Sequence, residues 1–214
     1  MGDCCNTDYR KVFRTSMGFD DLKRFERHGL RSTQADLADM SESSLGPSTT
    51  LLEVGGGLGA LHVELLERGA AAATTIDMSA GWDEAAGALL ERRELTTRVT
   101  RLNGDFAADA SSLPACEIVL LHRVICCYPD WEAMVDAAAS RASRSVAFTV
   151  PMESIAARIS LWVFHAWLRV QRCGFTSFIH PVDAMIARFA AHGFVVGEQR
   201  KRLGWISYRL DRTS

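Results

Sequence analysis

The sequence lacks an excess of either charge and lacks a long apolar run. Among 214 residues, 24 Lys and Arg stand against 26 Asp and Glu, which gives a net charge of −2. A chain without a basic field is poorly suited to the phosphate backbone of nucleic acid. No stretch stays apolar over the roughly 18 residues that a membrane-spanning helix needs. We therefore expect neither nucleic acid as a partner nor a segment that spans a membrane.

The sequence also lacks a secretory signal and the cysteine spacing of a zinc site. Residues Met1 to Asp8 do not show the basic segment followed by an apolar one that marks a secretory signal. We therefore expect a cytoplasmic protein whose six cysteines are reduced. The pairs Cys4-Cys5 and Cys126-Cys127 do not have the C-x-x-C spacing of a zinc site. No metal ligands are predicted, and the sequence assigns no role to these pairs.

The chain divides at Gly46-Pro47 into two predicted parts. Residues 1–46 carry apolar side chains at helical intervals among charged ones, which predicts one or two amphipathic helices. Asp20 or Asp21 is the expected start of the second helix. Residues 47–214 have the length of one α/β domain.

The segment Thr49 to Leu61 is the feature around which this domain is organised. An apolar run of strand length passes through four glycines into apolar residues at helical spacing, which predicts strand, tight turn and helix. Glycines permit a left-handed backbone and the close approach of a ligand. Glu53 disfavours a pyrophosphate here and favours a ligand that carries an ammonium and a sulfonium. The alternative is a turn that binds nothing.

Two further strands end in residues that suit a ligand. Ala71 to Asp77 reads as a strand whose final carboxylate can accept hydrogen bonds from ribose hydroxyls. Met78 beside it is predicted as a wall for an adenine ring, or as a buried filler. Cys116 to His122 is a nearly continuous apolar run, typical of a central strand buried on both faces. Its carboxyl end should bring His122 to the ligand crevice.

Together these residues resemble the class I S-adenosylmethionine-dependent methyltransferases. The acidic-x-Gly-x-Gly-x-Gly pattern of the cofactor loop is present, and Gly104-Asp105-Phe106 is similar to the family's adenine-side motif, although Asp105 could instead be a turn residue or helix cap. The resemblance implies an α/β, doubly wound, seven-stranded sheet whose last strand is antiparallel. It also implies S-adenosyl-L-methionine as cofactor. The residues assigned to the cofactor are Glu53, Gly55, Gly56, Gly57, Gly59, Asp77, Met78, Gly104, Asp105, Phe106 and His122.

The resemblance also implies a role for residues 1–46. In methyltransferases of this build, helices before the first strand often fold over the cofactor as a lid. A helix that only packs on the edge of the sheet is the alternative.

Within the family, Gly18-Phe19, Tyr128-Pro129 and Phe148 to Pro151 are similar to magnesium-protoporphyrin IX methyltransferase and its small-molecule relatives. Gly56 departs from the cysteine that is common in those relatives, so the porphyrin itself is not carried across. The expected acceptor is a small, flat, mostly apolar molecule methylated at a carboxyl or phenolic oxygen, with nitrogen, sulfur and carbon left open. His122 is the predicted general base or orienting group, or else a structural histidine.

The segment 153–172 is the most apolar helix candidate, and its apolar residues cover more than one face. Such a helix needs cover from the core, from a second subunit or from an apolar substrate, which leaves a homodimer open. We expect Tyr128, Trp162 and Trp167 at the acceptor site.

Two other classes of function compete with methyl transfer. An oxidoreductase linked to NAD uses a similar glycine-rich turn. A non-catalytic module would bind the cofactor without turnover, although the acids around the loop argue against it.

Overall fold

A computed structural model of the chain describes residues 15–170 and 175–213. It contains a seven-stranded sheet with the strand order β3-β2-β1-β4-β5-β7-β6. The strands are β1 (Thr50–Val54), β2 (Ala72–Asp77), β3 (Val99–Asn103), β4 (Cys116–Leu121), β5 (Ala142–Pro151), β6 (Phe194–Arg202) and β7 (Trp205–Arg212). β7 lies between β5 and β6 and runs antiparallel to both. The predicted fold class, including the inserted antiparallel last strand, is confirmed.

Helices cover both faces of this sheet. They are α1 (Thr15–His28), α2 (Ser32–Glu42), α3 (Ala60–Glu67), α4 (Asp83–Arg92), α5 (Phe106–Asp109), α6 (Trp131–Arg141), α7 (Ile155–Val170) and α8 (Val182–Ala191). Alternate residues of β4 point to opposite faces, as in any strand. Ile118 and Leu120 join the cluster with α3 and α4, while Val119 and Leu121 join the cluster with α6 and α8. The continuous apolar run of β4 therefore reflects burial on both faces.

The two amino-terminal helices are divided later than the sequence predicts. α1 continues through Asp20 and Asp21 to His28, and Gly29 follows it with a left-handed φ of 67°. The expected helix start at Asp20 or Asp21 is therefore wrong. Asp21 instead accepts a hydrogen bond from Arg31, so its carboxylate joins the two helices.

α2 is anchored to the far edge of the sheet. The buried carboxylate of Asp36 accepts hydrogen bonds from Arg202 of β6 at 2.8 and 2.9 Å. Leu37 and Met40 of the same helix lie in the core cluster with α3. α2 thus packs as a fixed layer on the sheet, whatever part α1 plays over the cavity.

Two features of the described fold concern membrane-spanning helices and the cysteines. Within 15–170 and 175–213, no helix combines the length and the apolar character needed to cross a bilayer. Cys116 and Cys126 are buried, and Cys127 is partly buried. Cys4, Cys5 and Cys173 lie outside the described residues.

Candidate active site

The carboxyl ends of the central strands open into a cavity of about 470 Å³. Parallel strands bring their carboxyl ends to one edge, where α/β sheets bind ligands. Ten of the predicted site residues line this cavity. They are Gly55, Gly56, Gly57, Asp77, Met78, Gly104, Asp105, Phe106, His122 and Tyr128.

The glycine-rich loop between β1 and α3 forms the cavity floor. Gly57 has a φ of 55°, in the left-handed region that favours glycine, and its N–H donates to Asp77 Oδ2 at 3.1 Å. Gly59 precedes α3 with a φ of 85°, and a Cβ there would lie 2.3 Å from Cε1 of His62. The loop therefore requires glycine for its backbone shape and, at Gly59, for the space that His62 occupies.

Glu53 lies beneath the loop and is absent from the residues that line the cavity. Its strand position points to the α3 side of the sheet, where its Oε2 lies 2.5 Å from Nδ1 of His62 and accepts from the His62 N–H at 3.2 Å. Both side chains are buried. The prediction that Glu53 faces the ammonium of a ligand stays a prediction, and the described contacts give its carboxylate a role in supporting the loop.

Asp77 ends β2 at the cavity wall. Its Oδ1 accepts from the N–H of Ser79 at 2.9 Å, and its Oδ2 accepts from Gly57. Burial raises the pKa of the carboxyl, while the two backbone hydrogen bonds oppose that change. These bonds fix the carboxylate between β2 and the loop, with Met78 beside it on the lining.

Asp105 makes two contacts at the adjacent corner of the cavity. Its Oδ1 caps α5 by accepting from the N–H of Ala107 at 3.1 Å, so the predicted helix cap is present. Its Oδ2 accepts from the hydroxyl of Tyr128 at 3.0 Å. Tyr128 is thus held at the corner formed by Gly104, Asp105 and Phe106, which is the predicted adenine side, and its assignment to the acceptor site stays a prediction.

His122 follows β4 and lies on the cavity wall, as predicted. Its Nε2 lies 2.9 Å from the hydroxyl oxygen of Thr33 on α2. Burial lowers the pKa of the imidazole to about 3, with smaller contributions from the charges of Arg123 and Arg31. The ring is therefore neutral at physiological pH, and a group with so acidic a conjugate acid is a weak general base.

Four charged residues of the lining were missed by the sequence reasoning. Asp21 and Arg24 come from α1, Arg31 precedes α2, and Arg123 follows His122. Arg31 donates to Asp21 at 2.6 Å, and Arg24 lies 3.9 Å from the same oxygen. Their approach depends on how α1 and α2 fold back over the sheet, for which the sequence contains no local signal. Arg123 alone could have been suspected, from its position beside His122.

The two tryptophans predicted at the acceptor site lie elsewhere on the surface. Trp162 and Trp167 of α7 are 70% and 56% exposed, and neither lines the cavity. Their assignment to acceptor binding stays a prediction.

Among the described residues, no three His, Cys, Asp or Glu side chains are grouped as metal ligands usually are. The Sγ atoms of Cys126 and Cys127 lie 3.8 Å apart, and Cys126 is buried. Cys127 lines the cavity.

Comparison with known proteins gives structural neighbours without close sequence relatives. No protein-family profile and no curated protein sequence matches the chain. Magnesium protoporphyrin IX methyltransferase from Synechocystis PCC 6803, solved with bound S-adenosylhomocysteine, has a TM-score of 0.70 at 18% identity, covering 96% of this chain and 97% of that one. An O-methyltransferase family protein from Burkholderia thailandensis has a TM-score of 0.69 at 14% identity, covering 92% of this chain and 59% of its own.

A third neighbour carries a different description. A protein from Rhodobacter sphaeroides described as a putative zinc-dependent alcohol dehydrogenase has a TM-score of 0.69 at 15% identity, with both chains fully covered. Identities this low compare folds and leave activities open.

The sheet order and the cavity at the carboxyl ends of its strands define a Rossmann-like α/β protein. More particularly, the chain has the fold of the class I S-adenosylmethionine-dependent methyltransferases. The predicted resemblance to that family, and within it to magnesium-protoporphyrin IX methyltransferase, is confirmed at the level of the fold.

Proposed function

We propose that this protein is an enzyme that transfers a methyl group from S-adenosylmethionine to a small, flat, mostly apolar acceptor, at oxygen. The observation that carries the proposal is Asp77, whose carboxylate is fixed at the end of β2 by Gly57 and Ser79 and faces the cavity. A carboxylate held there suits the two ribose hydroxyls of a nucleoside. A neighbour solved with S-adenosylhomocysteine, the demethylated cofactor, supports the same ligand.

The described residues fit the rest of this cofactor. Asp105, Phe106 and Met78 surround a corner suited to an adenine, with an acceptor oxygen and apolar cover. Asp21, Arg24 and Arg31 bring charges of both signs to the lining, which complements the ammonium and carboxylate of the methionine part. We propose that α1, through Asp21 and Arg24, is the part of residues 1–46 that covers the cofactor. When bound, S-adenosylmethionine supplies an activated methyl group, whose bond to sulfur breaks as the acceptor oxygen bonds to its carbon.

The chain's own contribution is chiefly positioning. A sulfonium is already a reactive donor, so the protein gains most by aligning the acceptor and excluding water. His122 is neutral and within hydrogen-bond distance of Thr33. We infer that it orients the acceptor oxygen by a hydrogen bond, a role that needs no change of protonation.

Calorimetry with S-adenosylhomocysteine and with NAD tests the proposal directly. We expect S-adenosylhomocysteine to bind and NAD to bind at least about 10-fold more weakly, since the fixed carboxylate of Asp77 already accepts from the Gly57 N–H of the turn and disfavours a pyrophosphate there. Asp77→Ala should weaken S-adenosylhomocysteine about 10-fold or more through lost charge-assisted hydrogen bonds. Asp136→Ala, which removes a half-exposed carboxylate from the outer side of α6, is the matched control and should bind like the parent.

Preferential binding of NAD would contradict the proposal and favour the oxidoreductase alternative. The Rhodobacter sphaeroides neighbour, described as a putative alcohol dehydrogenase, is the reason for including NAD in the test. Unchanged affinity in Asp77→Ala would remove the assignment of the ribose partner while leaving the cofactor itself.

A further inference from the structure

The guanidinium of Arg123 lies on the cavity wall. Within 15–170 and 175–213, no carboxylate lies within ion-pair distance of it, and its Nε is buried with no hydrogen bond. Its planar face stacks on Trp205, with 4.3 Å between the guanidinium carbon and the ring centroid. One face of the group is therefore occupied by an aromatic ring, and its charge is not neutralised by the described chain.

The backbone holds Arg123 in an unusual conformation. Its φ is 57°, in the left-handed region that non-glycine residues seldom occupy. The Arg123 N–H donates to the hydroxyl of buried Thr149 on β5 at 2.7 Å, which fixes the turn after β4. Strained conformations of this kind cluster at active sites and ligand clamps. Here the turn directs Arg123 to the wall that also carries His122.

The other charges of the cavity are already engaged. Asp21 accepts from Arg31 and lies near Arg24. Asp77 accepts from the glycine-rich loop, and Asp105 from Tyr128. The charges on the lining are Asp21, Asp77, Asp105, Arg24, Arg31 and Arg123. Burial does most to lower the pKa of His122, and the charges of Arg123 and Arg31 lower it further, so both guanidinium groups lie near the imidazole.

We propose that Arg123 binds a carboxylate of the acceptor, so that the substrate class is a flat carboxylic acid. This inference rests on the proposed function and specifies its acceptor. A guanidinium stacked on an aromatic face keeps its in-plane N–H donors, and their fork matches the two oxygens of a planar carboxylate. The neighbouring lining, Val124 and Met134, is apolar and suits the remainder of such an acid.

The test measures binding of 2-naphthoate to protein saturated with S-adenosylhomocysteine, by calorimetry. Its primary amide, 2-naphthamide, has the same shape without the charge. We expect the parent to bind the acid at least about 10-fold more tightly than the amide, and Arg123→Gln to weaken the acid by about 10-fold to 100-fold. Arg123→Lys should recover part of that loss, because it keeps the charge without the fork.

Arg188→Gln is the matched control. Arg188 pairs with Asp136 on the surface between α6 and α8, and the change removes the same charge away from the cavity. It should bind the acid like the parent. S-adenosylhomocysteine affinity, unchanged within a few-fold in every variant, reports that the proteins are folded.

Failure to bind 2-naphthoate, equal binding of acid and amide, or equal weakening in Arg123→Gln and Arg188→Gln would each overturn the assignment. These outcomes leave the proposed function standing as long as S-adenosylhomocysteine binds. Loss of S-adenosylhomocysteine binding in the parent is the separate result that removes the function itself.

Discussion

His122 shows how the setting of one residue decides its chemistry. The sequence places a histidine at the end of a buried strand, and an unperturbed imidazole with a pKa of about 6.5 would suit a base. In the fold, burial and two nearby arginines lower that pKa to about 3. The neutral ring lies against Thr33, so orientation is the role that its environment favours.

This shift predicts a pH-dependent stability. The unfolded chain protonates His122 near pH 6.5, whereas the folded chain does so only near pH 3. Stability from this group is therefore complete above about pH 6.5 and is lost progressively as the pH falls toward 3. We expect the urea midpoint of the parent to drop more steeply between pH 7 and pH 4.5 than that of His122→Asn.

Other titrating groups are common to both proteins and cancel in this comparison. Parallel pH profiles for parent and His122→Asn would show that His122 titrates alike in the folded and unfolded chains, and the account of a neutral orienting ring would then be withdrawn.

At the scale of elements, the pair Glu53 and His62 ties β1 to α3 beneath the glycine-rich loop. Removing one member of a buried, hydrogen-bonded pair leaves the other without its partner. We predict that His62→Leu lowers the free energy of unfolding by about 3–5 kcal/mol. Urea denaturation followed by circular dichroism measures the change.

The double variant Glu53→Leu, His62→Leu serves as the control. Because it removes both polar members together, it should be more stable than His62→Leu alone. The free energy of unfolding is also measured for Glu53→Leu alone. If the loss in the double variant equals the sum of the losses in the two single variants, the two side chains contribute independently, contrary to their contact.

Most element bounds followed from the sequence, and the exceptions have physical reasons. The bounds of β2 and β4 were predicted to within one residue, because each is an apolar run of strand length that ends in a polar residue. The split between α1 and α2 was misplaced, because an acid that can begin a helix can equally lie within one when a later arginine pairs with it. Local signals do not reveal such distant partners.

The same limit applies to the candidate site. Its glycines, Asp77, Asp105 and His122 were predicted, because each lies at or shortly after the carboxyl end of a strand. The partner of Glu53 was not predicted, because it depends on which face of β1 the carboxylate takes relative to α3. The left-handed turn at Arg123 was missed as well, because an arginine carries no signal for a positive φ.

At the scale of the whole molecule, α2 joins distant parts of the chain. Asp36 is clamped by Arg202 of β6, and Thr33 of the same helix reaches His122 after β4. We predict that Arg202→Ala lowers the free energy of unfolding by more than the loss of a surface pair and by less than the loss of a fully buried pair, because Arg202 is half exposed and Arg200 stays 3.7 Å from Asp36. Hydrogen exchange should show the loss of protection chiefly in α2.

Arg93→Ala is the comparison variant, since it breaks an exposed pair with Glu67. It should change stability by less than about 1 kcal/mol and leave α2 protected. Equal losses in the two variants, or unaltered exchange in α2 of Arg202→Ala, would contradict the anchoring role of Asp36.

The clamp between Asp36 and Arg202 also has a consequence for how the protein is made. The ribosome synthesises α2 long before β6, since Asp36 and Arg202 are 166 positions apart. During translation, Asp36 cannot pair with Arg202 until most of the sheet has been synthesised. Thr33 reaches its place beside His122 on the same helix. The cavity is therefore completed late in synthesis. A nascent chain that stops before β6 contains the glycine-rich loop but lacks the ion pair that anchors α2.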